Sequence, residues 1–302
     1  MLSQKNFLSY TAAEIADLAR SAAILEVSVS PKPGLVCPDT PGAHSDMDYH
    51  TFINSALSLH TYFETCVQIG QTLEHMSADQ RFVVLRRAGV AAEKEMYAAT
   101  GGINTHKGLI FSLGIVCCAV GTQQVRLRKA SSFDPRQQSA LLLKSICDEA
   151  AQMVKGMVQR ELVDAVTAIH DRPLTAGEHI YQQYGITGIR GEAEAGFPHV
   201  VQAFEHLVKA LAQQSWNDAC CHVLLFLILH TQDTNVVHRR GLAGLQALQK
   251  GAEELFAKVH SDAGQQYRDY CAVSTRSNLS PGGCADLLAL TLFFYLMFYG
   301  RT

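Results

Sequence analysis

The stretch Gly283–Tyr299, which reads GCADLLALTLFFYLMFY, is apolar around nearly the whole circumference of a helix. A helix on the surface of a soluble protein normally carries one apolar stripe and one polar face. A helix that is apolar on all sides must instead be surrounded by other elements. The stretch therefore predicts a C-terminal helix buried at the centre of a helical protein.

The rest of the chain shows helical periodicity as well, with apolar residues at steps of three and four, as at Ile15, Leu18 and Ala22. Further helices are expected at Thr105–Val120, Gln137–Ile169, His199–Gln214, Asp218–His230 and Ala243–His260. No convincing alternating strand pattern appears, and polar linkers are expected at Gly121–Gln138 and around Asp171–Thr175. We therefore predict an all-α fold, a multi-helical bundle that forms a single domain over residues 1–302.

The overall composition excludes several classes of protein. The 302 residues are 48% hydrophobic with a formal net charge of −3, which argues against disorder and against nucleic-acid binding through overall basicity. The longest apolar stretches, Val223–Leu229 and Leu287–Tyr299, are shorter than the roughly 20 residues that span a bilayer. The first ten residues lack the basic start and apolar core of a signal peptide. We expect a cytoplasmic protein that binds no membrane.

The nine cysteines do not form a recognisable framework, because their number is odd and no Cys-x-x-Cys occurs. Disulfide scaffolds and zinc–thiolate sites require other spacings. We therefore expect buried, reduced thiols that act as small apolar side chains in a reducing cytoplasm.

Ionisable side chains are concentrated in five segments that also contain Gly or Pro and lie where helices start or end. These are Glu26–Asp48, Glu93–Gly108, Gly185–Pro198, Asp233–Gly241 and Asn278–Asp286. Helix N-termini suit phosphates, because their N–H groups are free and the helix dipole is favourable. Each segment alone has a structural explanation; Ser280 and Pro281, for example, are typical of a helix start. A helix cap does not need Lys, His, Asp and Glu beside it, so together the segments predict one polar cleft formed at helix ends.

The charges in these segments indicate an anionic ligand. Cationic side chains suited to phosphate are those of Lys32, Lys107, Arg190, Arg239 and Arg240. Carboxylates beside such cations suggest Mg²⁺ held partly by protein and partly by polyphosphate oxygen. His44 and Asp46 could instead ligate a transition metal, although the other histidines are scattered. A Walker A loop, a strand-linked Gly-x-Gly-x-x-Gly and a Gly-x-Ser-x-Gly are missing, which argues against P-loop, dinucleotide-binding and serine-hydrolase enzymes.

Six motifs within the segments have a distinctive combination of residues. They are Pro31–Val36 (PKPGLV), Gly42–Met47 (GAHSDM), Gly102–Gly108 (GINTHKG), Gly188–Ala193 (GIRGEA), Asp233–Val236 (DTNV) and Ser280–Asp286 (SPGGCAD). With Glu93-x-x-Met96, they resemble the triphosphoribosyl-dephospho-CoA synthase family, and the resemblance runs from about Glu26 to Leu290. The chain departs from the family pattern at Cys37–Pro38, where an acidic and then a basic residue are usual, and at Val237–Gly241.

The resemblance implies a transferase that joins ATP to 3′-dephospho-CoA and forms 2′-(5″-triphosphoribosyl)-3′-dephospho-CoA. The ribose 2′-hydroxyl of dephospho-CoA attacks C1′ of the ATP ribose, adenine leaves, and the triphosphate stays attached. In this reaction a carboxylate is needed to stabilise the positive charge that develops on the sugar, and a general base is needed to deprotonate the attacking hydroxyl. The leaving adenine needs a hydrogen-bond donor or a proton donor. The product is passed to a separate transferase that acts on the acyl carrier protein of citrate lyase or malonate decarboxylase.

Within this scheme we assign catalytic roles to three residues. Glu93 is expected to act as the base or to stabilise the charged ribose, the alternative being a surface acid paired with Lys94 or Arg86. His44 or His106 is expected to donate to adenine, and a structural role is the alternative for each.

We assign binding roles to the remaining motif residues. Substrate and phosphate binding is expected from Lys32, Asn104, Lys107, Arg190, Arg239, Ser280, Gly282 and Gly283. Mg²⁺ is the expected cofactor, with Asp46, Asp233 and Asp286 as its ligands. Asp286 also suits its helix dipole without any metal.

Two other functions remain as alternatives. A Mg²⁺-dependent hydrolase of nucleotides or ADP-ribosyl groups would use the same side chains with water as the nucleophile. A helical binding module or adaptor would not need the grouped acids and would show no rise in melting temperature with nucleotide. The apolar C-terminal helix could also form the interface of a homodimer.

Overall fold

The computed structural model describes residues 6–129, 139–167, 173–256 and 264–300. The secondary structure of these residues is helical, and the β structure among them is limited to an isolated bridge between Cys37 and Thr40. The prediction of an all-α fold is therefore confirmed.

The α-helices are α1 (Ala12–Ser28), α2 (Tyr49–Ser58), α3 (His60–Thr72), α4 (Ala78–Ala99), α5 (Lys107–Lys129), α6 (Ser139–Met153), α7 (Asp164–Thr167), α8 (Ala176–Tyr184), α9 (Gly188–Glu194), α10 (Pro198–Leu211), α11 (Trp216–His230), α12 (Thr234–Phe256), α13 (Gly264–Arg276) and α14 (Gly282–Tyr299). A 3₁₀-helix (Phe7–Ser9) precedes α1, and a π-helix (Gln159–Val163) precedes α7.

Two helices form the centre of the bundle. The C-terminal α14 packs against α1, α10 and α11, and α5 packs against α3, α4 and α6. Most side chains of α14 are buried, around the whole circumference of the helix, and they include Leu288, Phe293 and Phe294. The expectation of a buried C-terminal helix, drawn from its apolar circumference, is confirmed.

Length and composition alone would let α5 and α14 cross a membrane, and the pair α11 and α12, bent by 63°, would form a third candidate. These helices are longer than the uninterrupted apolar stretches of the sequence, because each helix also includes polar residues. Within the most apolar 18-residue stretch of each helix, 83% of the stretch in α5 and 67% of the stretch in α14 are buried inside the protein. Neighbouring helices therefore cover most of the apolar surface of both.

The first helix shows how local sequence places a functional side chain. Thr11 caps α1: its Oγ1 accepts the N–H of Glu14 at 3.2 Å, and Glu14 Oε2 accepts the N–H of Thr11 at 2.9 Å. The buried face of α1 then runs through Ile15, Ala22 and Glu26. Because Glu26 lies four residues after Ala22, it falls on the apolar face and points inward.

The prediction of a polar linker at Gly121–Gln138 is wrong for the first part of that range, because α5 continues to Lys129. The side chain of Gln124 in this part is buried and hydrogen-bonded: its Nε2 donates to the carbonyls of Phe7 at 2.9 Å and Tyr10 at 3.1 Å. The helix therefore extends where polarity alone suggested a loop. Residues 130–138 lie outside the described residues, as do residues 171 and 172 of the second expected linker.

The single helix expected over Gln137–Ile169 is also wrong, because α6 ends at Met153 and a turn follows. Gly156 adopts a φ of +74°, which a right-handed helix does not allow. Glu194 of α9 accepts the N–H groups of Gly156 at 2.8 Å and Val158 at 2.7 Å. A carboxylate distant in sequence thus stabilises the break. The two ends of the expected helix lie outside the described residues.

All nine cysteines are free and buried, as expected. Burial raises the pKa of several of their thiols, including that of Cys118 to about 12. These thiols are therefore protonated and unreactive at neutral pH.

Candidate active site

A cavity of about 820 Å³ is lined by residues from all five of the charged segments. Lys32, Lys107, Gly188, Asp233 and Asp286 lie on its wall, although they are far apart in sequence. Five helices begin at this wall or next to it, namely α5, α9, α10, α12 and α14. The predicted polar cleft at helix ends is therefore present.

Glycines allow the segments to meet closely. Gly34 has a φ of +66°, and a Cβ there would lie 1.6 Å from the carbonyl oxygen of Leu279. A Cβ on Gly108 would lie 2.0 Å from Oδ2 of Asp286. The first contact joins the Lys32 loop to the start of α14, and the second joins the starts of α5 and α14.

A buried ion pair occupies one wall of the cavity. Lys32 Nζ donates to Oε1 of Glu26 at 2.5 Å and to the Glu26 carbonyl at 2.8 Å, and both side chains are almost inaccessible to solvent. Burial raises the pKa of Glu26, and the Lys32 ammonium opposes that effect. Our site prediction missed Glu26, although an acid on the buried face of α1 was visible in the sequence.

Asp233 caps the start of α14, a role that the sequence analysis assigned to Ser280. Its Oδ1 accepts the N–H groups of Asn235 at 2.8 Å and Val236 at 3.2 Å, and its Oδ2 accepts the N–H of Cys284 at 2.9 Å. One carboxylate thus caps α12 and α14 together. The expected cap by Ser280 is wrong, because α14 begins at Gly282 and has no local side-chain cap.

The carboxylate of Asp286 has no hydrogen-bond or ion-pair partner among the described residues, and it lies against Gly108 at the start of α5. Burial, followed by the carboxylates of Glu26 and Asp233, raises its pKa well above the usual value. Two carboxylates therefore act on that of Asp286, and the one of Glu26 is paired with the Lys32 ammonium. This surplus of negative charge favours a cationic group in the cavity.

His44 is held between two neighbours. Arg239 Nη2 donates to its Nδ1 at 3.0 Å, and Nε2 lies 2.9 Å from Ser280 Oγ. Since a guanidinium only donates, Nδ1 accepts and Nε2–H donates to Ser280. Burial and then Arg239 lower the pKa of His44. Both ring nitrogens are engaged, which leaves His44 without a free donor for adenine.

His106 is neutral and has one nitrogen left for a ligand. Thr105 Oγ1 donates to Ser55 Oγ at 2.7 Å, and Ser55 Oγ is hydrogen-bonded to Nδ1 of His106 at 2.7 Å. Burial, followed by the Lys32 ammonium, lowers the pKa of His106 to about 3. His106 is therefore neutral and cannot act as a proton donor at neutral pH.

Three of the predicted site residues are not on the cavity wall. Glu93 pairs with Lys107 at 3.0 Å, and neither Lys94 nor Arg86 is its partner. Arg190 Nε donates to Glu161 at 3.0 Å, and the side chain of Asp46 is 62% exposed. By contrast, the wall includes Lys32, His44, Asn104, His106, Lys107, Asp233, Arg239, Ser280, Gly282, Gly283 and Asp286.

The predicted magnesium ligands do not form one cluster. Asp46 lies outside the cavity, and Asp233 already accepts three backbone hydrogen bonds. Within the described part of the chain, no group of three or more His, Cys, Asp or Glu side chains could hold a metal ion. Asp286 is the one predicted ligand with a free carboxylate at the cavity.

A histidine–carboxylate pair also lies on the cavity wall, and the sequence analysis left out its histidine. His199 and Glu192 both line the cavity, and His199 Nδ1 lies 2.7 Å from Glu192 Oε2. The local signal was a histidine directly after Pro198 at a helix start, seven residues beyond an acid of the GIRGEA motif.

The comparison with known families agrees with the motifs on the cavity wall. The model of a family described as "CitG: ATP:dephospho-CoA triphosphoribosyl transferase" matches residues 12–301. The chain belongs to the CitG family. The match includes every segment that lines the cavity.

Relatives of this CitG-family chain carry corresponding names. It is 38% identical over 303 residues to "2-(5''-triphosphoribosyl)-3'-dephosphocoenzyme-A synthase" of Haemophilus ducreyi, which covers 96% of this chain and 90% of that protein. A Streptococcus mutans protein with the same name, marked probable, is 34% identical over 93% of this chain and 95% of its own. "Protein CitXG" of Haemophilus influenzae is 40% identical over 93% of this chain, which spans 59% of that protein. No solved structure shows a significant match.

Proposed function

We propose that the cavity joins ATP to 3′-dephospho-CoA, releases adenine and forms 2′-(5″-triphosphoribosyl)-3′-dephospho-CoA. The observation that carries the proposal is the convergence of all five charged segments on one cavity of about 820 Å³. Membership of the CitG family supplies the reaction class. The cavity volume lies within the range that holds small ligands with most of their surface buried.

We place the triphosphate of ATP at the start of α5. Lys107 is the first residue of that helix and Asn104 precedes it on the cavity wall. The N–H groups of a first helical turn and the positive end of the helix dipole attract phosphate oxygens. Arg239 adds a permanent positive charge on the wall near the start of α12.

Asp286 is the carboxylate at the reaction centre. It lies beside the proposed triphosphate site, and it is the predicted acid that is both in the cavity and unpaired among the described residues. A raised pKa makes a carboxylate a stronger base. Asp286 takes the proton of the attacking hydroxyl, and the surplus negative charge around it stabilises positive charge at C1′. Glu93 then serves to hold Lys107.

Mg²⁺ enters with the triphosphate and not in a site built by the protein alone. Mg²⁺ commonly keeps several waters and binds through substrate phosphates with one or two carboxylates. The scattered positions of Asp46, Asp233 and Asp286 suit this mode better than a three-carboxylate site. When bound, the ion neutralises part of the triphosphate charge.

The wider context of the reaction follows from its product. We propose that the product is handed to a separate transferase that modifies the acyl carrier protein of citrate lyase or malonate decarboxylase, in the cytoplasm. A homodimer through α14 would use the little of that helix which remains accessible, such as Tyr299 at 43% exposure. Sedimentation velocity of the purified chain tests the dimer.

The direct experiment mixes the purified protein with ATP, Mg²⁺ and 3′-dephospho-CoA and follows free adenine and the coupled product by mass spectrometry. We expect equal amounts of both, and no adenine when dephospho-CoA is left out. Adenine or free ribose triphosphate without a coupled product would indicate hydrolysis and overturn the proposal. The family comparison does not support hydrolysis.

A further inference from the structure

His199 and Glu192 form a fixed pair on the cavity wall. Glu192 Oε1 accepts the backbone N–H of His199 at 3.0 Å, and Oε2 lies 2.7 Å from Nδ1 of the same residue. The side chain of Glu192 is 10% exposed and that of His199 is 28% exposed. Two bonds to one carboxylate fix both the backbone and the ring of His199, which keeps the direction of its second nitrogen constant.

The second nitrogen of His199 is free. An ionised carboxylate only accepts, so Nδ1 carries a hydrogen. Among the described residues, none is hydrogen-bonded to Nε2 of His199. The hydrogen bond to Glu192 raises the pKa of His199, with burial acting in the opposite direction. The ring is therefore more often protonated near neutral pH than an ordinary histidine.

The four other histidines of the cavity wall do not combine a free nitrogen with a carboxylate that fixes the ring, and two of them, His230 and His238, are exposed. His44 has both nitrogens engaged, and the pKa of His106 is about 3. The leaving adenine nevertheless needs a proton or a strong donor on its ring, since its anion is a poor leaving group. His199 meets this need, because Glu192 fixes its ring and, among the described residues, none is hydrogen-bonded to its Nε2.

We propose that His199 is a catalytic residue that gives the proton on Nε2 to a ring nitrogen of adenine, and that Glu192 is its positioning residue. The proposal rests on the proposed function. As the C1′–N9 bond breaks, its electron pair goes to adenine, which takes the proton from His199. As the bond between C1′ and the ribose 2′-oxygen of dephospho-CoA forms, the hydroxyl proton goes to Asp286. Exchange with solvent then restores both side chains.

The charged surroundings of His199 are limited. Glu192 on α9 interacts with it directly, and the interaction is the cause of the raised pKa. On the helices packed against α10, the titratable groups that line the same cavity are His230 at the end of α11 and Asp286 in α14, with Asp233 beside them before α12. Glu192 is therefore the group to change when the protonation of His199 is tested.

The first test is His199→Gln, measured as adenine release over a range of pH. We expect kcat to fall by about 10²–10⁴-fold while KM for ATP changes little, because the proton is needed in the transition state. The wild-type kcat should fall as pH rises through the pKa of His199, and His199→Gln should lose this alkaline limb. His75→Gln, on an exposed residue away from the cavity, is the matched control and should retain wild-type kcat.

The second test is Glu192→Gln, which keeps the size of the side chain but removes the charge that raises the pKa. The alkaline limb of kcat should move to lower pH. A proton NMR titration of the His199 ring should show the same decrease, and ATP alone should shift that resonance in the wild-type protein. A purely structural role for Glu192 as the cap of α10 would lower the melting temperature of Glu192→Gln without moving the limb.

These measurements separate the two proposals. If wild-type protein releases no adenine with both substrates, the proposed function fails, whereas the NMR shift with ATP still reports on His199. Wild-type turnover and an unchanged alkaline limb in folded His199→Gln would overturn the role of His199. An unmoved NMR resonance on addition of ATP would overturn it as well.

Discussion

Asp286 is a partly buried acid without a partner among the described residues, in a place where a purely structural protein would favour a neutral side chain. Burying a carboxylate costs free energy unless the charge is paired. Glu26 has the ammonium of Lys32 and Asp233 has three backbone N–H groups, but Asp286 has neither. Unfavourable burial of this kind often occurs at functional sites, where stability is given up for activity.

This cost predicts a stabilising substitution with a defined pH dependence. The folded-state pKa of Asp286 is raised, so the folded protein loses stability as pH rises from about 4 through that pKa. Asp286→Asn should raise the free energy of unfolding by about 1–3 kcal/mol at pH 8, and the gain should shrink toward pH 4. Urea denaturation at both pH values measures it. Asp148→Asn, on an exposed acid paired with Lys144, should change stability by less than about 0.5 kcal/mol.

The same substitution should abolish most of the activity. We expect Asp286→Asn to lower kcat for adenine release by about 10²–10⁴-fold, because the hydroxyl proton loses its acceptor. Glu93→Gln removes only the partly exposed pair with Lys107 and should lower kcat/KM by no more than about fivefold. A loss in Glu93→Gln as large as that in Asp286→Asn would return the reaction-centre role to Glu93.

The candidate site is formed by the N-terminal ends of helices, and these ends lie close to one another because glycines leave room for the neighbouring side chains. Gly108 in the first turn of α5 leaves room for the carboxylate of Asp286 from α14. Gly283 in α14 leaves room for Asp233, whose Oδ2 would lie 3.0 Å from a Cβ at that position. Small residues therefore set how closely the helix ends can meet, and this distance sets the width of the cavity.

Gly108→Ala tests that dependence. The added Cβ would lie 2.0 Å from Asp286 Oδ2, so the carboxylate must move, and we expect kcat to fall by about 10²-fold. Gly89→Ala in α4 is the matched control, because its nearest neighbour would be 3.5 Å away. The control should keep its activity and gain about 0.5–1 kcal/mol of stability. Steady-state kinetics and urea denaturation distinguish the two, and full activity in Gly108→Ala would contradict the placement of Asp286.

The bundle as a whole brings together residues separated by more than 250 positions. The cavity wall includes Glu26 from the first helix and Leu287 from the last, and α1 packs directly on α14. A ligand that fills the cavity would contact both ends of the chain. Binding should therefore stabilise the whole fold and not one helix alone.

Thermal unfolding tests this coupling. ATP with Mg²⁺, or 3′-dephospho-CoA, should raise the melting temperature in a concentration-dependent way, by the equivalent of about 2.7 kcal/mol at 100 times Kd. Arg239→Ala should weaken the effect of ATP, since it removes a cation from the wall. Differential scanning fluorimetry measures both, and an unchanged melting temperature at saturating nucleotide would favour the adaptor alternative.

Patterns within single segments were enough to predict the helical fold and the existence of the cleft. The apolar circumference of Gly283–Tyr299 indicated a buried helix, and the structure buries it. Clusters of charge with Gly and Pro indicated ligand-binding helix ends, and they meet at one cavity. Such features depend on neighbours three or four residues away, which the order of residues specifies directly.

The packing of helices decided which members of those clusters face the ligand. Glu93, Asp46 and Arg190 carry the right chemistry but lie off the cavity wall, whereas Glu26 and His199 lie on it. The direction of a side chain near a helix end depends on the angle and depth at which the helix meets others, and hence on contacts distant in sequence. The break after Met153, held by Glu194, has the same origin. Residue types therefore limited the chemistry of this protein, and long-range packing selected the atoms that can perform it.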